Sequence, residues 1–216
     1  MARTSEPTSP EPTSPQRHTT HSRADHEHDW HSQEYVTYWM TKDRGREERR
    51  RPLLDRMMAC ATFDKTAPLR VLDVGGGYGA VSERVLETFP RAQVTLQDFS
   101  HVMLDEARDH LAAHETRMSY AFGDLRDRLW TEQLDGPFDL VVSAIAIHNL
   151  MDMPTIAACY REIRGVLKPG GSFLDCDHFD HVEDIESHIK AMKQAGFAQV
   201  ECLWYESPTG IIRARA

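Results

Sequence analysis

From residue 69 onward, two hydrophobic patterns alternate along the chain. Short strand-like segments stand at 69–74, 93–97, 117–121 (the weakest), 138–143 and 172–176, and residues 144–147 extend the apolar run of the fourth. Between them, apolar residues recur every three or four positions over 78–89, from Ser100 onward (Val102, Met103, Ala107, Leu111), over 153–167 and over 185–195. A run apolar at successive positions reads as a strand buried on both faces, and a period near 3.6 reads as an amphipathic helix. Lys168-Pro169-Gly170-Gly171 ends the third of these helices and Gly196 the fourth. Two last strands, 199–205 and 211–214, flank a Ser207-Pro208-Thr209-Gly210 turn. So short a link pairs them antiparallel. The alternation predicts an α/β fold: a mostly parallel sheet covered by helices on both faces, with an antiparallel hairpin at one edge.

Upstream, order is expected to begin near Trp30. Tyr35, Val36, Trp39 and Met40 recur at helical spacing. A second helix is expected to start near Pro52, which suits a first turn, with Leu53, Leu54, Met57 and Met58 inward. The charged run 42–51 is interrupted by Glu47 and Glu48 and reads as a solvated helix face, although one of its arginines could face an active site. Residues 1–20 hold five Thr, three Ser and four Pro, too little apolar surface to offset the entropy of ordering. His18, His21, His26, His28 and His31 follow without a cysteine and read as solvated imidazoles rather than metal ligands. The expected organisation is a disordered tail over 1–29, a helical segment over 30–66 and a sheet domain over 67–216.

The composition narrows the partners. Among 216 residues, 25 Lys and Arg face 34 Asp and Glu, a net charge of −9. An acidic chain is a poor default ligand for nucleic acid. The four cysteines form no CxxC pair and suit a reducing compartment. No window approaches a membrane span, and no apolar signal segment opens the chain. The expectation is a cytoplasmic protein that binds neither membrane nor nucleic acid.

Gly75, Gly76, Gly77 and Gly79 lie where the first strand meets the first helix of the sheet. Open α/β sheets bind ligands at that end of their strands, and glycine lets backbone approach a ligand closely. Asp98 ends the second strand, where a carboxylate accepts from both hydroxyls of a ribose. Gly75-x-Gly77-x-x-Ala80 also satisfies a loose dinucleotide pattern. Asp73 decides against that reading. A carboxylate at the loop repels a pyrophosphate and favours an amino group or a sulfonium.

Asp73-Val74-Gly75-Gly76-Gly77-Tyr78-Gly79 resembles the acidic-x-G-x-G-x-G loop of class I S-adenosylmethionine-dependent methyltransferases, here of the small-molecule type. The likeness continues through Val94-Thr95-Leu96-Gln97-Asp98-Phe99-Ser100, Gly123-Asp124-Leu125, Phe138-Asp139-Leu140-Val141-Val142-Ser143 and Leu167-Lys168-Pro169-Gly170-Gly171. It implies a Rossmann-like seven-stranded sheet in order 3-2-1-4-5-7-6, strand 7 antiparallel, with helices on both faces and an N-terminal helical lid. It implies S-adenosyl-L-methionine as cofactor. Gly75, Gly76 and Gly77 would lie beneath the methionine moiety, and Asp73 would orient its ammonium, directly or through water. Asp98 would hold the ribose, Phe99 would pack on the adenine, and Gly123, Asp124 and Leu125 would bound the base, with Asp124 accepting from its amino group. Ser143 and Ala144 would border the cofactor. For Asp124 a plain helix N-cap ahead of 125–129 is compatible with that role.

Methyl transfer needs an aligned nucleophile and, for a hydroxyl or ammonium, a base. His148, just past the fourth strand, and His178, at the end of the fifth, are the candidates. Asp175 and Asp177 share one face of that strand, but no metal is expected, because metal-dependent relatives carry an Asp where this chain has Ser143. The aromatics Tyr35, Tyr38 and Trp39 suit a lid over an apolar or aromatic small-molecule substrate. No long insertion follows the fifth strand, so the N-terminal segment, or a partner chain in a homodimer, supplies most of the cover. The reading is methyl transfer to an O or N atom of a small molecule in specialised metabolism. Its rivals are an RNA or protein methyltransferase, and a cyclase or binding module on the same fold.

Overall fold

The computed structural model describes residues 29–216. The expected tail over 1–29 and the histidines at 18–28 therefore lie almost wholly outside the described residues. The first strand, β1 (Arg70–Val74), is buried on both sides: Val71 faces one core, and Leu72 and Val74 face the other. β2 (Gln93–Asp98), β3 (Met118–Phe122), β4 (Phe138–Ala144) and β5 (Leu167–His178) extend the sheet in parallel, and β6 (Gln199–Glu206) and β7 (Thr209–Arg215) close it as an antiparallel hairpin. The strand order is β3-β2-β1-β4-β5-β7-β6, as the family resemblance implies.

Helices cover both faces. α2 (Glu47–Ala59), α3 (Ala80–Thr88) and α4 (His101–His110) bury Leu54, Met57, Val85, Leu86 and Leu104 against Val71, Leu140 and Val142. On the other face, α5 (Met153–Val166) and α6 (Ile185–Gln194) bury Ile156, Tyr160, Ile163 and Met192 against Leu72, Val141 and Phe173. Side chains capping three helix starts accept an N-terminal amide each: Ser100 for α4, Asp152 for α5 and Asp184 for α6. α1 (Gln33–Arg44) is capped by Ser32 and forms a third cluster, in which Val36 and Met40 pack on Tyr78 and Met103. No described helix is long and apolar enough to cross a membrane.

Three local expectations are corrected. α2 begins at Glu47, so Pro52 lies inside the helix rather than in its first turn. Proline there removes one backbone donor, yet burial of Leu54, Met57 and Met58 one turn later carries the helix through. Residues 168–171 belong to the irregular start of β5: Leu167 pairs with Phe138 and Ser172 with Leu140, and the residues between bulge out around Gly170, whose φ is 76°. The segment after Asp124 is a series of turns, so Asp124 caps no helix. Within the charged run, Arg46, Glu48, Arg49 and Arg51 are exposed as expected, whereas Arg50 turns inward.

Pro52 is exposed, and its replacement restores a helical donor without altering the core. Pro52→Ala should therefore stabilise the protein by about 1–2 kcal/mol, the helix gain less the entropy returned to the unfolded chain, read as a higher urea midpoint at unchanged slope.

Candidate active site

The glycine loop is shaped by the end of β2. Gly76 N–H donates to the Gln97 carbonyl (3.0 Å), Gly75 N–H to Gln97 Oε1 (3.1 Å) and Gly77 N–H to Asp98 Oδ2 (2.9 Å). Gly75 and Gly77 adopt φ of 62° and 54°, a region that favours glycine. A Cβ on Gly75 would stand 2.7 Å from the Ala146 Cβ, and one on Gly76 2.6 Å from Leu96 Cγ and 3.0 Å from the Asp73 carboxylate. Gln97, only 1% exposed, also donates through Nε2 to the Gly123 carbonyl. It thus ties the glycine loop to the Gly123-Asp124 turn. Sequence reasoning passed over Gln97; its one signal was an uncharged polar residue among the apolar positions of a central strand.

Asp73 and Asp98 both sit beneath this loop. Asp73 is fully buried; Oδ2 accepts from the Ser82 hydroxyl (2.7 Å), and Oδ1 has no hydrogen-bond partner. Loss of water around the charge, reinforced by Asp98, pushes its pKa up to about 7 against the donation from Ser82. Asp98 is 6% exposed, and its two oxygens accept from Gly77 N–H and Ser100 N–H. Burial raises its pKa as well, despite these bonds and the nearby His31. An ionised carboxylate has about four acceptor sites, so hydroxyls can still be accepted at both oxygens.

The N-terminal elements meet this site at two places. Ser100 Oγ donates to the Trp30 carbonyl, and the His31 ring stands edge-on to Phe99 with centroids 5.2 Å apart. Trp30 and His31 thereby roof the Asp98 end of the loop. At the other end, Tyr78 donates its hydroxyl to Asp43 of α1 (2.7 Å), and Arg50 of α2 bonds both. Arg50 is thus an arginine of the charged run that meets the glycine loop, through Tyr78. Trp39 packs beside Tyr78 (6.2 Å) and Trp30 (5.2 Å), and Tyr35 beside Trp30 (5.1 Å). Tyr38 is 56% exposed, with the Lys42 ammonium 4.2 Å from its ring centroid.

Among the remaining expected residues, Gly123 is buried and Leu125 half-buried beside the loop's partner turn, while Asp124 Oδ1 accepts from Arg126 N–H (2.9 Å). Ser143 is buried and donates to the Val74 carbonyl (3.0 Å), fastening the ends of β1 and β4 together. Beyond β4, His148 lies in a short 3-10 turn (Ile147–Leu150). Asp177 accepts from its Nδ1 (2.6 Å) through Oδ1 and from its backbone N–H (2.9 Å) through Oδ2. Asp177 also accepts from the His178 N–H (2.8 Å), and these bonds with the His148 ring hold its carboxyl below the ordinary range despite burial. His178 Nδ1 pairs with Thr209 Oγ1 (2.9 Å), and burial lowers its pKa. The rings of His178 and His181 lie 5.4 and 5.1 Å from that of His148. The sequence put Asp177 on a face with Asp175 but did not pair it with His148. No group of three or more His, Cys, Asp or Glu among the described residues is arranged to hold a metal ion.

Residues 71–171 match a family model described as "Methyltransferase domain". This stretch of the chain is similar to methyltransferase domains, and the strand order of the sheet is the one that the resemblance to the class I S-adenosylmethionine-dependent enzymes implies. The chain is 32% identical over 121 residues to a malonyl-[acyl-carrier protein] O-methyltransferase of Geobacter sulfurreducens, which covers 56% of this chain and 43% of that protein. It is 35% identical over 127 residues to the ubiquinone/menaquinone biosynthesis C-methyltransferase UbiE of Methylobacterium nodulans, covering 55% of this chain and 45% of that one. The chain thus spans less than half the length of these curated relatives. The structure of PigF with SAH superposes with a TM-score of 0.69 at 15% identity, over 87% of this chain and 60% of that chain, and shares the fold.

The glycine loop fits the cofactor of those enzymes on two observations. Asp73 Oδ1 is a buried acceptor without a donor, suited to an ammonium, and the Gly77 surface is open, a Cβ there finding only Met103 Sδ at 4.0 Å. Asp73 would orient the ammonium, Gly75–Gly77 would lie under the methionine moiety, and Asp98 would hold the ribose.

The buried acid has a measurable signature. The raised Asp73 pKa stabilises the fold below about pH 4 and is lost as pH rises through 7, because the folded state then holds a proton that the unfolded state has released. A rise from 3.8 to about 7 corresponds to on the order of 4 kcal/mol. In urea unfolding, the stability of native protein relative to Asp73→Asn should therefore fall between pH 4 and pH 8, by an amount approaching that figure; a constant difference would mean Asp73 stays ionised throughout.

Proposed function

We propose that this protein transfers a methyl group from S-adenosylmethionine to an oxygen atom of a small molecule, in the biosynthesis of a specialised metabolite. The observation that carries the reading is the His148–Asp177 pair beyond β4, with His178 beside it. A carboxylate only accepts, so Asp177 fixes the proton of His148 on Nδ1 and leaves Nε2 as a lone pair. If the Thr209 hydroxyl donates to His178 Nδ1, the proton of that ring sits on Nε2. An acceptor and a donor then stand side by side. His148 takes the proton of a substrate hydroxyl, and His178 Nε2–H supports the oxygen as charge develops on it.

When bound, S-adenosylmethionine supplies a methyl group already activated by its sulfonium. The protein's own task is alignment and exclusion of water. Trp30, Tyr35 and Trp39 provide an apolar roof, and the Asp43–Arg50–Tyr78 contact joins that roof to the glycine loop. The net charge of −9 favours a small metabolite over nucleic acid.

Titration calorimetry with S-adenosylmethionine and S-adenosylhomocysteine, with NADH as control, tests the cofactor. Binding of the two sulfur nucleosides and not of NADH is expected. With an acceptor found from a panel of hydroxyl, carboxylate, amine and carbon-acid compounds, His148→Ala should lower kcat by about 10²–10⁴-fold while leaving cofactor affinity unchanged. Full activity in that variant removes His148 from the chemistry, and turnover confined to carbon acids or amines overturns the oxygen assignment.

A further inference from the structure

Behind the His148–Asp177 pair lies a second buried polar group that the reaction above does not use. Asp175 points to the same side of β5 as Asp177, into the layer of α5 and α6, and is fully buried. Its Oδ2 is 3.2 Å from the Tyr160 hydroxyl of α5, and that hydroxyl is 2.9 Å from Nδ1 of His188 on α6. Tyr160 is fully buried and His188 is 2% exposed. Asp175 Oδ1 and His188 Nε2, the two outer atoms of the chain, have no hydrogen-bond partner among the described residues.

Of the proton arrangements that fit these distances, two that hold the same number of protons differ in where the charge lies. In one, the Asp175 carboxyl carries a proton and donates to Tyr160 Oη, the Tyr160 O–H donates to His188 Nδ1, and the ring keeps its proton on Nε2. In the other, His188 Nδ1–H donates to Tyr160 Oη and Tyr160 donates to an ionised Asp175, leaving an imidazolium. They differ by one proton moved from Asp175 to His188. The second places a carboxylate with a single hydrogen bond and a charged N–H with none inside the core, a costly pair of unsatisfied ions. Asp177, by contrast, accepts three N–H bonds. Of two neighbouring acids that repel each other, Asp177 keeps the charge.

We infer that Asp175, Tyr160 and His188 form a buried relay that stores one proton on Asp175 and so leaves Asp177 the sole carboxylate charge behind His148. These are positioning residues, acting on the base through Asp177. Their link to the base rests on the function proposed above; the relay itself does not. The groups facing Asp175 agree with it. Asp177 on β5 raises its pKa further, beyond the effect of burial. Cys159 on α5 is a buried thiol whose pKa is pushed up, so it brings no charge. His188, on α6 near Asp184, is driven toward its neutral form by burial. Ser143 pairs with Asp175 in register from β4, and Ile212 from β7.

Infrared difference spectra of the full-length protein at neutral pH, native against Asp175→Asn, test the store without any substrate. A protonated-carboxyl carbonyl band present in the native protein and lost in the variant is expected; loss of a carboxylate band instead overturns the proposal. Should Asp175→Asn not fold, Tyr160→Phe serves: it should displace the same band by removing its hydrogen-bond partner, and an unmoved band overturns the relay. Long-range ¹H–¹⁵N spectra should show His188 neutral with its proton on Nε2, and an imidazolium contradicts the assignment. Once an acceptor is known, Asp175→Asn should leave the acid limb of the pH–rate profile where the native enzyme has it, because Asn and a protonated Asp carry the same charge. A limb displaced to lower pH would mean that Asp175 is ionised in the native protein.

Discussion

The path of the chain from Val74 to Gly79 depends on three amides captured by the end of one strand. Gln97 and Asp98 take the N–H groups of Gly75, Gly76 and Gly77, and in doing so they hold two glycines at positive φ. The same two residues set the rest of the site. Gln97 reaches across to Gly123, and the Asp98 carbonyl accepts from Gly123 N–H at 3.1 Å. Loop, acid and the Gly123-Asp124 turn are therefore one hydrogen-bonded unit, not three neighbours. Gln97, Asp98 and Gly123 are buried, so a missing partner would leave a carboxamide or a carboxylate unsatisfied in the core, which costs more than the bond contributes.

Much of this was legible in the sequence, because the signals are local. A strand buried on both faces is a run of apolar residues, and β1 and β4 were visible as such. Asp73, the glycines and Asp98 lie at fixed offsets from strand ends, so their placement follows once the strands are found. What escaped was long-range or overruled by packing. Asp43, Arg50 and Tyr78 are separated by up to 35 positions and meet only when α1 and α2 fold onto the loop. Asp177 and His148, 29 apart, meet because β4 and β5 are adjacent. Pro52 misled for a different reason: local propensity put a helix start there, and tertiary burial of the following turn outweighed it.

Four buried acids share the carboxyl half of the sheet, and each meets desolvation differently. Asp177 is matched by an imidazole and two backbone amides. Asp98 is matched by amides at both oxygens. Asp175 has a phenol, and Asp73 has Ser82. The two poorly matched acids lie at opposite ends of the machinery. Asp73 faces the glycine loop, where a cationic ligand suits it. Asp175 faces the hydrophobic layer under α5 and α6, where no ligand can reach, so its charge is removed by a proton instead.

That difference separates what each acid can do. A group whose pKa is pushed up to about 7 chiefly by burial responds strongly to a nearby positive charge. A cofactor ammonium beside Asp73 would therefore favour its ionised form and bind more tightly as that form becomes populated. The cost of burying Asp73 thus weakens the empty protein and strengthens its discrimination, since a pyrophosphate offers the same carboxylate only repulsion. Asp175 offers no such response to ligand, because it is fully buried and closed off behind Tyr160 and His188. Fixing its proton keeps a second negative charge away from His148 through every step at the open end of the sheet. The fold places an acid that must answer to the ligand and an acid that must not on opposite faces of one sheet, the first under α3 beside Ser82 and the second under α5 beside Tyr160.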